Sequence, residues 1–246
     1  MNNYIHDIRE QFTILYENNS FVIDKTGVKT IEIIGASFIA DEDYIFGKTN
    51  DNYIKRELEW YESQSLYVDD IPGKTPAIWK QVASNKGMIN SNYGWCVFSE
   101  ENGSQYNHVL KELKSNPDSR RATMIYNRPS MHTDYNKDGM SDFMCCQTNS
   151  FFIRNGMLEV VVNFRSNDAW AGFRNDLAWI RYLSTKLAND LEVPLGDIFW
   201  NAASLHLYES QFYLLDHYYH TGETSINKED FYNIDPEYKG ILSCQQ

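Results

Sequence analysis

The pair Asn155-Gly156 separates two runs rich in β-branched and aromatic residues, Cys146–Arg154 and Met157–Phe164. Asn-Gly is the dipeptide that a two-residue turn between antiparallel strands favours, so the segment predicts a hairpin. Residues 28–38 and 123–126 also read as strands, and residues 198–200 and 204–208 look extended. Helical patterns occupy residues 5–18, 50–63, 106–114, 176–191 and 210–220, with Asn50 or Asp51 placed to cap the second. On that helix Ile54, Leu58 and Tyr61 share one face, with Glu57 and Trp60 on a neighbouring one. Strands and helices mix without βαβ regularity, which predicts an α+β fold around a twisted sheet flanked by helices. No repeat, low-complexity tract or linker divides the chain, so residues 1–246 are expected to form a single domain.

Charge narrows the function. The formal net charge is −12, which argues against general nucleic-acid binding and makes any grouping of arginines informative. The four cysteines show no C-x-x-C spacing, so neither a zinc site nor a disulfide framework is expected. No apolar run reaches membrane-spanning length, and Met1-Asn2-Asn3-Tyr4 lacks a signal pattern. The expectation is a soluble protein of a reducing, cytoplasmic compartment, with no metal.

Between Arg120-Arg121 and Asp176 the chain carries a nucleophile and a set of anion-binding groups. Cys145 and Cys146 are adjacent; on a strand they point to opposite faces, one packed and one presented, and spacing does not say which. Arg165-Ser166 emerges from an apolar strand, where a guanidinium wants an anionic partner. Glu57 is either a surface carboxylate or a buried acid with a raised pKa. His206 and Tyr208 alternate along an extended run and so face one side. Asp176 reads either as a cap or first-turn acid of its helix or as a ligand group. Asp134-Tyr135-Asn136-Lys137-Asp138-Gly139 imitates the start of a calcium loop, but its twelfth position is Cys145 and not glutamate.

Taken together these segments resemble the thymidylate synthase family over most of the chain. The likeness is carried by Asp24-Lys25-Thr26-Gly27, Glu57-Leu58-Glu59-Trp60-Tyr61, Trp79, Tyr93-Gly94 and Asp118-Ser119-Arg120-Arg121. It continues through Cys145, Arg165-Ser166-Asn167-Asp168, Gly172, Asp176 and His206-Leu207-Tyr208. Within the family the stretches 25–37, 56–61, 134–145 and 172–176 look most like the phage branch that hydroxymethylates deoxycytidylate.

The resemblance implies a thymidylate-synthase-like fold, a homodimer packed through its sheets, and roles for matching positions. Cys145 would be the nucleophile and Glu57 the acid/base that organises water. Arg165 and Ser166 would bind phosphate, with Arg120 and Arg121 reaching across from the other subunit. His206 and Tyr208 would hold the sugar hydroxyl, and Asp168 and Lys25 join the substrate-binding set. Trp79 and Tyr93 would line the cavity for 5,10-methylenetetrahydrofolate. A thiolate adding at C6 turns C5 of the pyrimidine into a nucleophile, and Arg165 is expected to favour that thiolate. Asp176 stands where the synthases carry asparagine; a carboxyl accepts from the cytosine 4-amino group, so dCMP is the expected substrate. A phage-infected bacterial cytoplasm and a nucleotide-synthesis complex are the implied setting.

Ser150, Cys146, Arg174, Asn175 and Ser204 depart from the family pattern, and Ile241-Leu242-Ser243-Cys244-Gln245-Gln246 lacks its usual terminal lid. The rival readings are the same fold acting on dUMP, by hydroxymethylation or methylation, and a non-catalytic nucleotide-binding subunit. A zinc-dependent deaminase lacks its H-x-E and P-C-x-x-C ligands.

Overall fold

The Asn155-Gly156 turn forms with both residues at positive φ, 52° and 77°, the left-handed pairing that a tight hairpin requires. The structure is a computed structural model that describes residues 3–24 and 26–233. Lys25 and the terminal segment 241–246 singled out above therefore lie outside the described residues. The strands are β1 (Val22–Ile23), β2 (Lys29–Ile39), β3 (Thr123–Ile125), β4 (Cys146–Arg154), β5 (Met157–Phe164), β6 (Asn167–Asp168) and β7 (Leu195–Tyr208). They make one sheet in the order β1-β2-β7-β5-β4-β3, with β6 added alongside β7. Pairings are antiparallel except β5–β7 and β6–β7, which are parallel.

The helices are α1 (Ile5–Glu17), α2 (Asp51–Ser63), α3 (Ala77–Val82), α4 (Tyr93–Phe98), α5 (Gln105–Ser115), α6 (Met131–Asp134), α7 (Ala171–Leu191), α8 (Phe212–Thr221) and α9 (Lys228–Asn233). Among the described residues none is long and apolar enough to cross a membrane. The α+β mixture matches expectation, with one addition: α7 carries the chain from β5 to the parallel β7, a βαβ crossover that the sequence reading did not anticipate.

Three differences from the sequence reading bear on the site. First, α7 starts at Ala171, five residues before the expected start at residue 176. Asp168 holds its first turn, accepting from the backbone N–H groups of Trp170, Ala171 and Gly172 at 3.2, 2.8 and 3.1 Å. Asp176 therefore lies in the second turn and does not cap the helix.

Second, the two extended pieces 198–200 and 204–208 are one strand. Gly35 sits at φ 71° on β2 opposite the break, and along β7 the buried residues slip from Ile198, Trp200 and Ala202 to Leu205 and Leu207. The slip turns His206 and Tyr208 away from the core. A bulge at Gln147, between Cys146 and Thr148, bends β4 in the same region.

Third, the buried face of α2 is Glu57, Trp60 and Tyr61, with Leu58 only partly buried. The helix is capped by the Asn50 side chain, which accepts from the Tyr53 N–H at 3.1 Å. Its far end is locked to α4. The Asn92 amide donates to the carbonyls of Trp60 and Ser65 at 2.9 and 2.8 Å. A Cβ at Gly94 would come within 1.8 Å of the Tyr61 carbonyl oxygen, so a side chain there would force the two helices apart.

Aromatic packing fixes α7 on the sheet. Trp200 stacks on Phe164 with ring centroids 4.7 Å apart and meets Phe173 edge-on at 4.9 Å. Such pairs contribute about 0.5–1.5 kcal/mol each beyond area burial, and here they hold the stretch from Arg165 to Asp176 rigid. On β2, β7, β5 and β4 a polar row crosses four strands. Ser37 donates to Asn201 at 2.9 Å, Asn201 to Asn163 at 3.3 Å, and Asn163 to Thr148 at 3.0 Å.

Candidate active site

Two chambers open into one another beside α7. The larger, about 580 Å³, is walled by Ile78, Trp79, Val82, Tyr135 and Phe143, with Asp142 and Arg165 at its edge. The smaller, about 370 Å³, is lined by Glu57, Ser166, Asn167, Asp168, Asn175, His206 and Tyr208. Ile78, Trp79, Tyr93, Cys145, Gly172 and Asp176 belong to both walls and mark the junction.

The bulged start of β4 resolves the cysteine pair. Cys146 is wholly buried, whereas Cys145 is part-exposed and lines the junction. Arg165 lies against it: Nη2 is 3.5 Å from Cys145 Sγ and donates to the Phe143 carbonyl at 2.6 Å, while Nε donates to Met144 at 2.9 Å. The guanidinium also sits 4.8 Å from the centre of the Phe143 ring. It is thus anchored by the segment that carries the nucleophile.

Arg165 does favour the thiolate, but burial outweighs it. Burial pushes Cys145 up to about 11, and the pull of Arg165 toward the thiolate is too small to offset that; Asp176 and Asp142 add to the rise. The protein alone holds a protonated thiol.

Glu57 is 5% exposed. Burial raises it to about 7, against the opposing hydrogen bonds of Tyr53 and Trp79, which leaves it divided between acid and base near neutrality. The Tyr53 hydroxyl donates to it at 2.5 Å and accepts from Trp79 Nε1 at 2.9 Å. Trp79 thereby reaches Glu57 through Tyr53 as well as walling the larger chamber.

Asp176 faces the cavity and is packed on its other sides. Burial drives its carboxyl well above the usual range, with the charge of Glu57 adding, and both favour the protonated form. Asn167 Nδ2 donates to Oδ2 at 2.8 Å, and the Tyr93 hydroxyl also hydrogen-bonds the carboxyl. Tyr93 is itself held by stacking on Tyr61, 5.3 Å away.

His206 and Tyr208 meet edge-to-face at 5.0 Å in the smaller chamber. Burial holds the imidazole below its ordinary value, and Ser204 Oγ lies 3.4 Å from its Nδ1. Asp168 lines the same chamber while capping α7. Ser166 stands at its edge.

Arg120 and Arg121 are not brought to this cleft by their own chain. Both are exposed, and Arg121 Nη2 pairs with Glu112 at 3.1 Å. The calcium-like loop is likewise accounted for: Asp134 pairs with Lys137 and Arg128.

Three site residues escaped the sequence reading. Tyr53 precedes Glu57 by one helical turn, a spacing that was visible. Asn167 was quoted within its motif without a role. Asp142 is buried and accepts from the Asn90 and Ser91 N–H groups at 2.6 and 2.8 Å and from Ser91 Oγ at 2.6 Å. No local pattern announced that last residue.

A family model described as thymidylate synthase matches residues 7–229. The chain is 58% identical over 234 residues to the deoxycytidylate 5-hydroxymethyltransferase of Enterobacteria phage T4, covering 92% of this chain and 95% of that protein. The phage T2 protein of the same description matches to the same extent. A thymidylate synthase from Francisella philomiragia is 26% identical over 76% of this chain and 74% of its own length. In structure, thermostable thymidylate synthase A from Bacillus subtilis superposes with a TM-score of 0.65 at 21% identity, over 85% of this chain and 82% of its own.

Proposed function

The chain belongs to the thymidylate synthase family, and we propose that it is an enzyme converting dCMP to 5-hydroxymethyl-dCMP. The observation that carries this reading is one chamber shared by Cys145, Glu57 and Asp176, with the Asp176 carboxyl held at Oδ2 by the Asn167 amide. Relatives described as deoxycytidylate 5-hydroxymethyltransferase, at 58% identity, support the same substrate.

In this reading the base lies at the junction with its C6 against Cys145 Sγ. Sγ bonds to C6, and the C5–C6 electron pair makes C5 the nucleophile. The thiol proton must leave as the S–C bond forms, since the resting thiol is protonated. The larger chamber, walled by Ile78, Trp79, Val82, Tyr135 and Phe143, fits a flat heteroaromatic ligand. There 5,10-methylenetetrahydrofolate, when bound, supplies the one-carbon unit. C5 would bond to that carbon and lose its proton to a base as tetrahydrofolate leaves with the electron pair of the broken carbon–nitrogen bond. Water then adds to the exocyclic methylene, and Sγ departs with its electron pair, which restores the ring double bond and lets the thiol regain its proton. Glu57, divided between its two protonation states, positions that water and moves the proton. Arg165 and Ser166 take the phosphate, and His206 and Tyr208 the sugar hydroxyl; a neutral imidazole can accept or donate there.

We read residues 1–246 as one catalytic domain working as a homodimer. The polar row crossing the sheet and the exposed Ile34 and Ile125 support a face laid against a second sheet. In this reading Arg120 and Arg121, which lie outside their own cleft, serve the partner's phosphate. The setting, in the same reading, is an infected bacterial cytoplasm, which the phage source of the relatives supports, and a nucleotide-synthesis complex.

The test is product mass after incubation with 5,10-methylenetetrahydrofolate and either dCMP or dUMP. A hydroxymethyl adduct on dCMP is expected. A methyl adduct, or preference for dUMP, would overturn the assignment.

A further inference from the structure

Asp176 lines the chamber 2.8 Å from the Asn167 amide, and on the cytosine-nucleotide reading above its choice of base turns on the proton it shares with the ring. A neutral carboxyl offers one O–H donor and one carbonyl acceptor. Cytosine needs a donor opposite N3 and an acceptor opposite its 4-amino group. Uracil needs an acceptor opposite N3–H and a donor opposite O4. The same acid pairs with either base, with its proton on opposite oxygens. Carboxyl in place of amide is therefore not by itself a cytosine filter.

Something must decide which oxygen carries the proton. The Tyr93 hydroxyl rotates and can donate or accept, so it accommodates both placements. An amide N–H only donates. Asn167 Nδ2 stands 2.8 Å from Asp176 Oδ2. Asn167 is 2% exposed, on a two-residue strand whose partner is β7 at Leu205, so it has no room to swing aside. Its Oδ1 is buried without a hydrogen-bond partner. A buried amide with half its capacity unused is unusual, and the contact with Asp176 is what its placement supplies.

We propose that Asn167 is a positioning residue that sets base choice: its amide N–H keeps Asp176 Oδ2 an acceptor and leaves the acid proton to Oδ1. In that arrangement Oδ1–H meets cytosine N3 and Oδ2 receives the 4-amino group. Uracil then confronts donor with donor at N3 and acceptor with acceptor at O4. Leaving such groups unpaired in a buried site is what makes discrimination steep.

The experiment measures dissociation constants for dCMP and dUMP on the folded enzyme, wild type beside Asn167→Val and Asn167→Asp, with melting temperatures to confirm folding. Wild type is expected to prefer dCMP. Asn167→Val frees the proton to either oxygen, so the preference falls by about tenfold or more. Asn167→Asp provides an acceptor in place of the donor, draws the proton to Oδ2, and moves the preference further toward dUMP. Both nucleotides weakening by the same factor, with the ratio unchanged in either variant, would show a merely structural asparagine and overturn the inference. A wild type that favours dUMP would instead sink the cytosine reading beneath it.

Discussion

Replacing Glu57 with glutamine is expected to stabilise the protein at alkaline pH while abolishing turnover. The carboxyl is raised by burial from its ordinary 4.5 to about 7. The folded state holds this proton more tightly than the unfolded state, so no cost is felt below about pH 4.5. As pH climbs toward 7 the unfolded chain releases the proton first and the native state loses ground. Above 7 the full penalty of a buried carboxylate is present, about 3 kcal/mol for that displacement. Glutamine keeps the shape and an oxygen to accept from Tyr53 but carries no charge to desolvate. Urea unfolding of wild type and Glu57→Gln at pH 5 and pH 8.5 should show curves nearly coincident in acid. At alkaline pH the variant should gain up to about 3 kcal/mol, or several degrees in Tm for a chain of this size. The reasoning fails if the difference between the two proteins is the same at both pH values, or if the variant is weaker at pH 8.5.

Other outcomes follow from the same geometry. With its thiol near 11, Cys145 in the unliganded protein should react with iodoacetamide only slowly at pH 8, where roughly one thiol in a thousand is ionised. The rate should climb tenfold per pH unit until about 11; fast labelling at neutral pH would contradict the burial argument. Tyr53→Phe removes a hydrogen bond that lowers Glu57, so the Glu57 ionisation in the pH profile of kcat/KM should move upward from about 7; an unchanged profile would disconnect the two residues. Arg120→Ala with Arg121→Ala should leave Tm within about a degree, because both are exposed, yet raise the KM for dCMP by tenfold or more. If KM is untouched, the cross-subunit role is wrong.

Much of the site was legible because its parts lie in consecutive order on regular elements. The hairpin, Arg165 at its end and a cysteine pair with one member packed and one presented follow from alternation and an Asn-Gly turn; which member is presented does not. What alternation could not reveal is the slip at Gly35 and Ala203, since a kink shows only when two strands are seen side by side. It made one strand look like two. The start of α7 was misplaced because Asp168 caps it from a two-residue strand, where no apolar period had begun. The pull of Arg165 on the thiolate is visible in sequence, but the depth of burial that outweighs it is not. Glu57 reads in sequence as surface or buried alike, and only its burial beside Tyr53 and Trp79 decides.

The row from Ser37 through Asn201 and Asn163 to Thr148 also changes how its sheet face meets water. Each side chain already spends a donor or an acceptor on its neighbour, so covering the row displaces less water than two isolated asparagines would hold. Each asparagine still keeps a second N–H, so whatever covers the row must bring an acceptor to each, and that requirement fixes the register of the cover.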